Sequence, residues 1–227
     1  TLMERGFDGP FVIENEADLA GLPENAITGA AEAAKERGHE GKWGFTLHKP
    51  SMIPFLQYAE NRELREKIFK AYIMRGDNEN DLDNKNNLTE IAELRIERAH
   101  ILGYKTHAHY VLEEGMAKNP ENVYDLLQKL WDPALARAKQ EVTELQAMIY
   151  EEGGDFKLEA WDWWYYAEKV KKAKYDLDEE MMRPYFQLEN VRQGAFNLAT
   201  NLFGIQFFEL KDVPKYHEDV RVFEVKE

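Results

Sequence analysis

The spacing of apolar residues predicts a mainly helical chain, and one helix carries the clearest signal. It follows Asn119-Pro120-Glu121, which combines a cap, a proline and an acid in the order that opens a helix. Apolar residues then recur every three or four positions, as in a helix with one buried face: Val123, Leu126, Leu127, Leu130, Trp131, Ala134, Leu135, Ala138, Val142, Leu145, Met148 and Ile149. We expect Pro133 to kink this helix, or to restart it with Asp132 as the cap.

Similar patterns predict further helices. They run from Glu24 to about Arg37, from a Ser51 cap to Gly76 with a joint near Asn61, from Leu88 to Leu102, from a Thr106 cap to Ala117, from Trp163 to Tyr175, and from Leu188 to Phe203. The residues expected to face inward on two of them are Leu88, Ile91, Ala92, Ala99 and Leu102, and Val191, Ala195, Leu198, Ala199 and Leu202. Residues 41–47, 205–210 and 220–225 read as short strands. The predicted fold class is therefore mainly α, a helical bundle with a few short β-strands.

One stretch, Phe156 to Phe186, is unlike a generic helix. It holds three of the five tryptophans and four tyrosines. Asp162 stands where it can cap the helix that begins at Trp163. Two interpretations stay open for the aromatic residues. They form a ligand platform, because Tyr and Trp join an apolar body to a polar tip, or they fill a core between helices.

Composition narrows the classes of partner. The formal charge of −14 disfavours nucleic acid and anionic membranes, and no window approaches the roughly 18 apolar residues of a membrane span. The chain has no cysteine, so disulfides and thiolate chemistry are excluded. We expect a cytoplasmic protein, with a periplasmic or exported location as the alternative. Thr1 is not a methionine and the last residues read as an unfinished strand, so we expect a piece of a longer chain.

The histidines do not complete a zinc-peptidase motif. H-E-x-x-H places two histidines on one helix face with a glutamate between them. His39 and His217 are each followed by glutamate, but the fourth position onward is Trp43 or Arg221. The chain also has no nucleophile elbow G-x-S-x-G and no glycine-rich phosphate loop.

A di-iron bundle is a second metal hypothesis. Such bundles use two Glu-x-x-His pairs, and two occur here. They are Glu36…His39 and Glu97…His100. Gly38 interrupts the first pair at a helix end, so surface or capping roles are the simpler interpretation. His107, His109 and Glu113 on one short helix allow the same two interpretations.

Eight segments, in order, resemble the zinc metallopeptidases of the thimet oligopeptidase and oligopeptidase A family. They are LAGLPENAI at 19–27, GKWGFTLHKPSMIPFLQYAENRELREKIFKAY at 41–72, DNKNNLTEIAELRIERAHILGY at 83–104, MAKNPENV at 116–123, EAWDWWYY at 159–166, RPYFQLENVRQGAF at 183–196, LFGIQFFEL at 202–210 and YHEDVRVFEV at 216–225. The run that begins WDWWYY looks nearest to the bacterial peptidyl-dipeptidase (dipeptidyl carboxypeptidase) branch.

The resemblance implies a helical enzyme with two halves around a narrow cleft for short peptides. Residues 1–154 would come from the non-catalytic half, and residues 155–227 would begin the catalytic half. The family's zinc motif lies beyond this chain, so the resemblance assigns no catalytic and no metal residue here. It implies zinc in the full-length parent and none in this fragment, which would need the missing C-terminal catalytic region.

The resemblance makes Trp161, Asp162, Tyr165 and Tyr166 the candidates for the substrate cleft. The expected function is a fragment of a peptidyl-dipeptidase that releases dipeptides from the C-terminus of short peptides, inactive alone. The alternatives are a non-catalytic helical binding or scaffold module, or the di-iron bundle.

Overall fold

The computed structural model describes residues 11–176 and 179–227. Its strands and helices follow in the order β1 Phe11–Ile13, α1 Glu24–Glu36, β2 Trp43–Phe45, α2 Lys49–Tyr58, α3 Arg62–Ile73, α4 Lys85–Ile101, α5 His107–Leu112, α6 Pro120–Glu151, α7 Trp163–Tyr175, α8 Glu179–Met182, α9 Leu188–Phe203, β3 Gln206–Leu210 and β4 Val222–Lys226. Short 3-10 turns lie at Glu16–Leu19 and Arg183–Tyr185. The predicted mainly α class is confirmed.

The chain forms two compact units that divide between Lys174 and Tyr175. This division concerns packing alone, so the expected boundary at residue 154 between the halves of a parent enzyme stays a prediction. In the second unit, β3 and β4 pair as antiparallel strands. Helix α9 packs on this hairpin through Phe196, whose ring stacks on Phe207 at 4.0 Å and meets Phe223 edge-on at 5.0 Å.

The main core of the first unit lies between the antiparallel pair β1–β2 and helices α1, α2 and α3. Phe55 is fully buried there, with Phe45 at 4.7 Å and Phe11 at 5.9 Å between ring centroids. Strand β2 lies close against α1, because a Cβ at Gly44 would come within 3.2 Å of the Ala34 backbone. The lack of a side chain at Gly44 therefore allows this strand to pack on the helix.

A second core joins the C-terminal part of α6 to α7. Leu145, Ile149 and Tyr166 are buried in it. The Gln146 side chain fixes the connecting segment, since it donates to the Phe156 carbonyl at 2.9 Å and accepts from the Leu158 N–H at 2.8 Å. This second core positions the aromatic start of α7.

Several predicted helix boundaries are confirmed by their caps. Asn119 accepts from the Asn122 N–H and opens α6, and Thr106 accepts from the His109 N–H and opens α5. The predicted joint also exists, because Asn61 accepts from the Leu64 N–H and starts α3. The Ser51 cap is wrong: α2 begins at Lys49, and the Ser51 hydroxyl accepts from the Thr46 N–H in the preceding loop.

The expected restart of α6 at Pro133 is also wrong. The helix continues from Pro120 to Glu151 with Pro133 inside it. A proline removes one hydrogen bond from a helix interior, and the remaining bonds of this long helix hold it together. Asp132 therefore lies within the helix and caps nothing.

The inward faces predicted for α4, α6 and α9 are mostly exposed. Of the expected residues, only Ala99 on α4 and Leu145 and Ile149 on α6 are buried in the described part of the chain. Leu130 is 56% exposed and Leu198 is 60% exposed. Periodicity identified these faces as apolar, but nothing among the described residues covers them.

A pair of substitutions in α6 tests this difference. Leu145→Ala should lower the free energy of unfolding by about 2–5 kcal/mol, because it leaves a cavity in the second core. Leu130→Ala should change it by about 0.5 kcal/mol or less, because that side chain is already in water. Urea unfolding of the 227-residue chain measures both values, and equal losses would contradict the exposed face.

Candidate functional site

Asp162 lies at the backbone position of a helix cap. Its carbonyl oxygen accepts the Tyr166 N–H at 3.0 Å, which is the first hydrogen bond of α7. Its carboxylate does not cap the helix, however. One carboxylate oxygen accepts from the Glu159 N–H at 3.1 Å, and both oxygens face two arginines of α3. The predicted side-chain cap is therefore replaced by a buried ion cluster, the Asp162 cluster, formed by Asp162, Arg62 and Arg65.

Arg62 makes a bidentate contact with the Asp162 carboxylate. Arg62 Nε lies 3.0 Å and 3.1 Å from the two carboxylate oxygens, and its Nη2 lies 2.8 Å from Oδ2. Arg65 Nη2 donates to Oδ1 at 3.0 Å. The other terminal nitrogen of Arg65, Nη1, donates to the carbonyls of Ala59 and Glu60 where α2 ends. The cluster thus ties the α2–α3 joint to the start of α7.

Burial makes this cluster energetically important. Asp162 has no exposed surface and Arg65 is 1% exposed. The hydrogen bonds to Asp162 raise the pKa of the Arg62 guanidinium, against the opposing effect of its desolvation. Removing one member of such a group leaves an uncompensated charge in the interior, which is strongly destabilising.

Aromatic rings compensate the second positive charge. The Arg65 guanidinium carbon lies 4.0 Å from the centroid of the Tyr165 ring, and that of Arg62 lies 4.2 Å from the Phe156 ring. Cation–π contacts gain strength when the cation is desolvated. These contacts explain how two guanidiniums share one carboxylate inside the protein. The Arg65 Nε nevertheless has no hydrogen-bond partner among the described residues.

The four predicted cleft residues separate into two environments. Asp162 and Tyr166 are buried, and Tyr165 lies against Arg65. Trp161 lines an open groove, and the other three residues are not among the walls of that groove. Their assignment to a substrate cleft of the parent enzyme stays a prediction.

That groove, the tryptophan groove, lies in the first unit between α2, α3 and the start of α7. It has a volume of about 300 Å³. Its walls are almost wholly apolar, with Lys49 as the charged exception: Met52, Ile53 and Leu56 from α2, Phe69, Tyr72 and Ile73 from α3, and Ala160, Trp161 and Trp164 from the α7 side. A smaller groove shares Ile53 and Trp164 with it and extends the apolar surface along α7.

Sequence reasoning missed the arginines of the Asp162 cluster. Arg62 and Arg65 are spaced to share one face of a helix, which is a weak signal because such pairs are common on solvated faces. Their partner lies about 100 residues further along the chain. Only the folded structure brings these groups together.

The second unit carries an ionic network on its surface. Arg221 pairs with Glu209 and also with Glu189, which pairs in turn with Arg192. Hydrogen bonds from Arg221 hold the pKa of Glu209 below its usual range. The network links α9 to β3 and to the residue just before β4, and its charges are largely satisfied within it.

The structure offers no metal-ligand set in residues 11–176 and 179–227. No three His, Asp or Glu side chains there lie close enough to hold an ion. Glu36 ends α1 and His39 follows it in the turn, whereas Glu97 and His100 lie on α4. The described residues therefore provide no site for a di-iron centre or for a zinc ion. Within the same residues, no helix has the length and apolar character needed to cross a bilayer.

Comparison with known proteins identifies the family. Residues 55–227 match Peptidase family M3. The chain is 37% identical over 225 residues to a dipeptidyl carboxypeptidase of Escherichia coli K12, which covers 99% of the chain and 33% of that relative. It is 40% identical over 218 residues to an oligopeptidase A of Haemophilus influenzae, covering 94% and 32%. A saccharolysin of Saccharomyces cerevisiae is 27% identical over 221 residues, covering 93% and 30%.

The chain belongs to peptidase family M3. The predicted resemblance is thereby confirmed, and both the dipeptidyl carboxypeptidase and the oligopeptidase A names occur among its relatives. The chain spans about one third of the length of the curated relatives it matches.

The Asp162 cluster leads to a matched test. Asp162→Asn should lower the free energy of unfolding by about 3–5 kcal/mol, because the buried Arg65 guanidinium and the partly buried Arg62 guanidinium lose their counter-ion. Asp125→Asn should cost about 1 kcal/mol or less, since Asp125 pairs with Lys129 on the surface, where both side chains are more than half exposed. Urea unfolding of both variants gives the comparison. Similar losses would show that the cluster is not a buried ion group.

Tyr166 predicts a pH dependence at alkaline pH. Burial raises the pKa of its phenol, and the charge of Glu152 acts in the same direction. The unfolded chain loses this proton first, near about pH 10. The stability that Tyr166 contributes is therefore complete below about pH 10 and is lost as pH rises through the folded value.

Tyr166→Phe should accordingly reduce the loss of unfolding free energy between about pH 8 and about pH 11. Urea unfolding at the two pH values measures that loss. The control is Tyr150→Phe, at a tyrosine of α6 that is 61% exposed, and it should leave the loss unchanged. The same alkaline loss in Tyr166→Phe as in the unaltered chain would contradict the prediction.

Proposed function

We propose that this chain is part of a zinc-dependent peptidyl-dipeptidase, which releases dipeptides from the C-terminus of short peptides. The observation that carries the proposal is the 37% identity to a dipeptidyl carboxypeptidase over 99% of the chain. The match to the peptidase family over residues 55–227 supports the broader class. The identity of similar size to oligopeptidases A makes internal cleavage of short peptides the competing specificity.

Within that enzyme, we assign this piece to the cleft wall and the scaffold. Two features support a scaffold role. The Asp162 cluster fixes α3 against α7 through buried, charge-assisted hydrogen bonds. The apolar faces of α4 and α6 are exposed, which suits surfaces that pack on other parts of a larger protein.

The zinc of the proposed enzyme would be held by residues beyond the described part of this chain, which offers no ligand set. Zinc supplies a polarised water for peptide hydrolysis when it is bound in enzymes of this kind. The residues of this chain contribute packing and shape to that chemistry. They hold the walls in place.

Peptide hydrolysis by two purified proteins tests the proposal. The 227-residue chain and the longer parent are each incubated with a short peptide that has a free C-terminus, and with the same peptide as its C-terminal amide. Mass spectrometry should show C-terminal dipeptides released by the parent alone, from the free peptide, and blocked by a zinc chelator. These outcomes follow because the metal ligands and the catalytic groups are assigned to the parent.

The contrary results are equally clear. Chelator-sensitive hydrolysis by the 227-residue chain would overturn the claim that this piece is inactive alone. Equal cleavage of the amide would replace the dipeptidase specificity by an endopeptidase one. A parent that cleaves neither peptide would favour a non-catalytic helical module.

A further inference from the structure

We propose that Asp162 is a positioning residue that sets the width of the tryptophan groove. Together with Arg62, it holds the α7 side of the groove, which carries Trp161, against the side that α3 forms. The importance of this width for substrate rests on the proposed function, in which this piece forms a cleft wall. The link between the ion pair and the groove rests on the structure alone.

Asp162 closes the turn that carries two residues of the groove wall. Its backbone N–H donates to the Glu159 carbonyl at 3.0 Å, and its Oδ2 accepts from the Glu159 N–H at 3.1 Å. Ala160 and Trp161 are the two residues enclosed by these bonds, and both line the groove. The position of the Asp162 carboxylate therefore determines where this part of the wall lies.

The same carboxylate is bound to the helix that forms the facing wall. Arg62 is the first residue of α3, and its Nε and Nη2 lie 3.1 Å and 2.8 Å from Oδ2. Phe69 and Ile73, further along α3, line the groove. A bidentate pair of guanidinium and carboxylate fixes orientation as well as distance. This pair therefore fixes the two walls relative to each other.

Trp161 lies beside the ion pair as well as in the groove wall. The centroid of its ring is 5.6 Å from the Arg62 guanidinium carbon, 5.1 Å from the Lys70 ammonium and 6.4 Å from the Phe69 centroid. The indole Nε1 is buried and has no hydrogen-bond partner among the described residues. The ring is therefore held by packing on α3 and by the backbone of its turn, and the Asp162–Arg62 pair contributes to both.

Arg65 extends the contact to α2, the third element around the groove. Its Nη2 donates to Asp162 Oδ1 at 3.0 Å, and its Nη1 donates to the Ala59 carbonyl at 2.7 Å. Met52 and Leu56 of α2 line the groove and are buried in the main core. The three elements around the groove thus meet at one carboxylate. Its removal should change the shape of the groove as well as the stability of the chain.

Two changes separate positioning from stability. Adding Arg62→Gln to Asp162→Asn removes one of the two guanidiniums left without a counter-ion, so this double variant should regain part of the lost stability. Arg62→Lys keeps the charge but replaces the aligned N–H groups by a single ammonium. The matched control is Arg137→Lys, at an arginine of α6 that pairs with Glu141 and whose side chain is 58% exposed.

Hydrolysis of the free-acid peptide by the longer parent gives the first readout. The double variant and Arg62→Lys should each raise KM about tenfold and leave kcat within about twofold, because a displaced wall weakens the binding of ground state and transition state alike. Arg137→Lys should change neither constant. A KM that returns to the unaltered value as stability recovers in the double variant would reduce Asp162 to a structural role. An unchanged KM in Arg62→Lys would also overturn the proposal.

Nuclear magnetic resonance of the 227-residue chain gives a second readout that needs no activity. The Overhauser contact between the Trp161 and Phe69 rings reports the distance between the two walls directly. It should weaken in Arg62→Lys and in the double variant, whereas the contact between Phe45 and Phe55, 4.7 Å apart in the main core, should persist in both. A Trp161–Phe69 contact of unaltered strength in these variants would contradict the positioning role.

The positioning role and the peptidase activity fail separately. A parent that cleaves peptides with the same KM in every variant contradicts the positioning role alone. A parent that cleaves no peptide contradicts the peptidase proposal. The contact between the two rings in the 227-residue chain then still decides whether Asp162 sets the width of the groove.

Discussion

The carboxylate of Asp162, buried between Arg62 and Arg65, is the contact on which the first unit depends. It joins the end of the main core, at the α2–α3 joint, to the second core between α6 and α7. Removing one residue from a buried ion group of this kind is strongly destabilising, because it leaves an uncompensated charge in the interior. All three charged groups are therefore needed to hold the start of α7 against α3.

The surroundings of the Asp162 cluster are consistent with that role. Two backbone carbonyls at the end of α2 and the Glu159 N–H add further hydrogen bonds, and the rings of Phe156 and Tyr165 lie against the guanidiniums. Some of the aromatic residues that the sequence presents as a possible ligand platform thus pack against the buried cations of the Asp162 cluster. Trp161 and Trp164 have the other role, because they line an open groove next to the same cluster. The Asp162 cluster and the tryptophan groove are thus formed by neighbouring residues.

The exposed apolar faces fit the size of the chain relative to its family. Helices α4 and α6 carry rows of large apolar side chains in solvent, and α9 does the same in the second unit. Isolated soluble domains rarely expose so much contiguous apolar surface. The relatives are about three times longer than this chain. The faces are accounted for if a larger protein covers them, which is the arrangement proposed for the parent enzyme.

Local sequence signals were sufficient to predict most of the helices, several of their caps and the family. Asn119, Thr106 and Asn61 begin helices as their side chains require, since capping is decided within three or four residues. The ordered segments identified peptidase family M3, which the comparisons confirmed. Apolar periodicity also identified which helix faces are apolar.

The folded structure is needed to know which of those faces are covered and what Asp162 does. A local rule assigned its carboxylate to the helix that follows, but two arginines about 100 residues away compete for the same oxygens and a charge-assisted pair is the stronger contact. Burial and the pairing of distant charges depend on how elements meet in space. No spacing along the chain encodes that, and it is why the Asp162 cluster and the tryptophan groove became visible only in the folded protein.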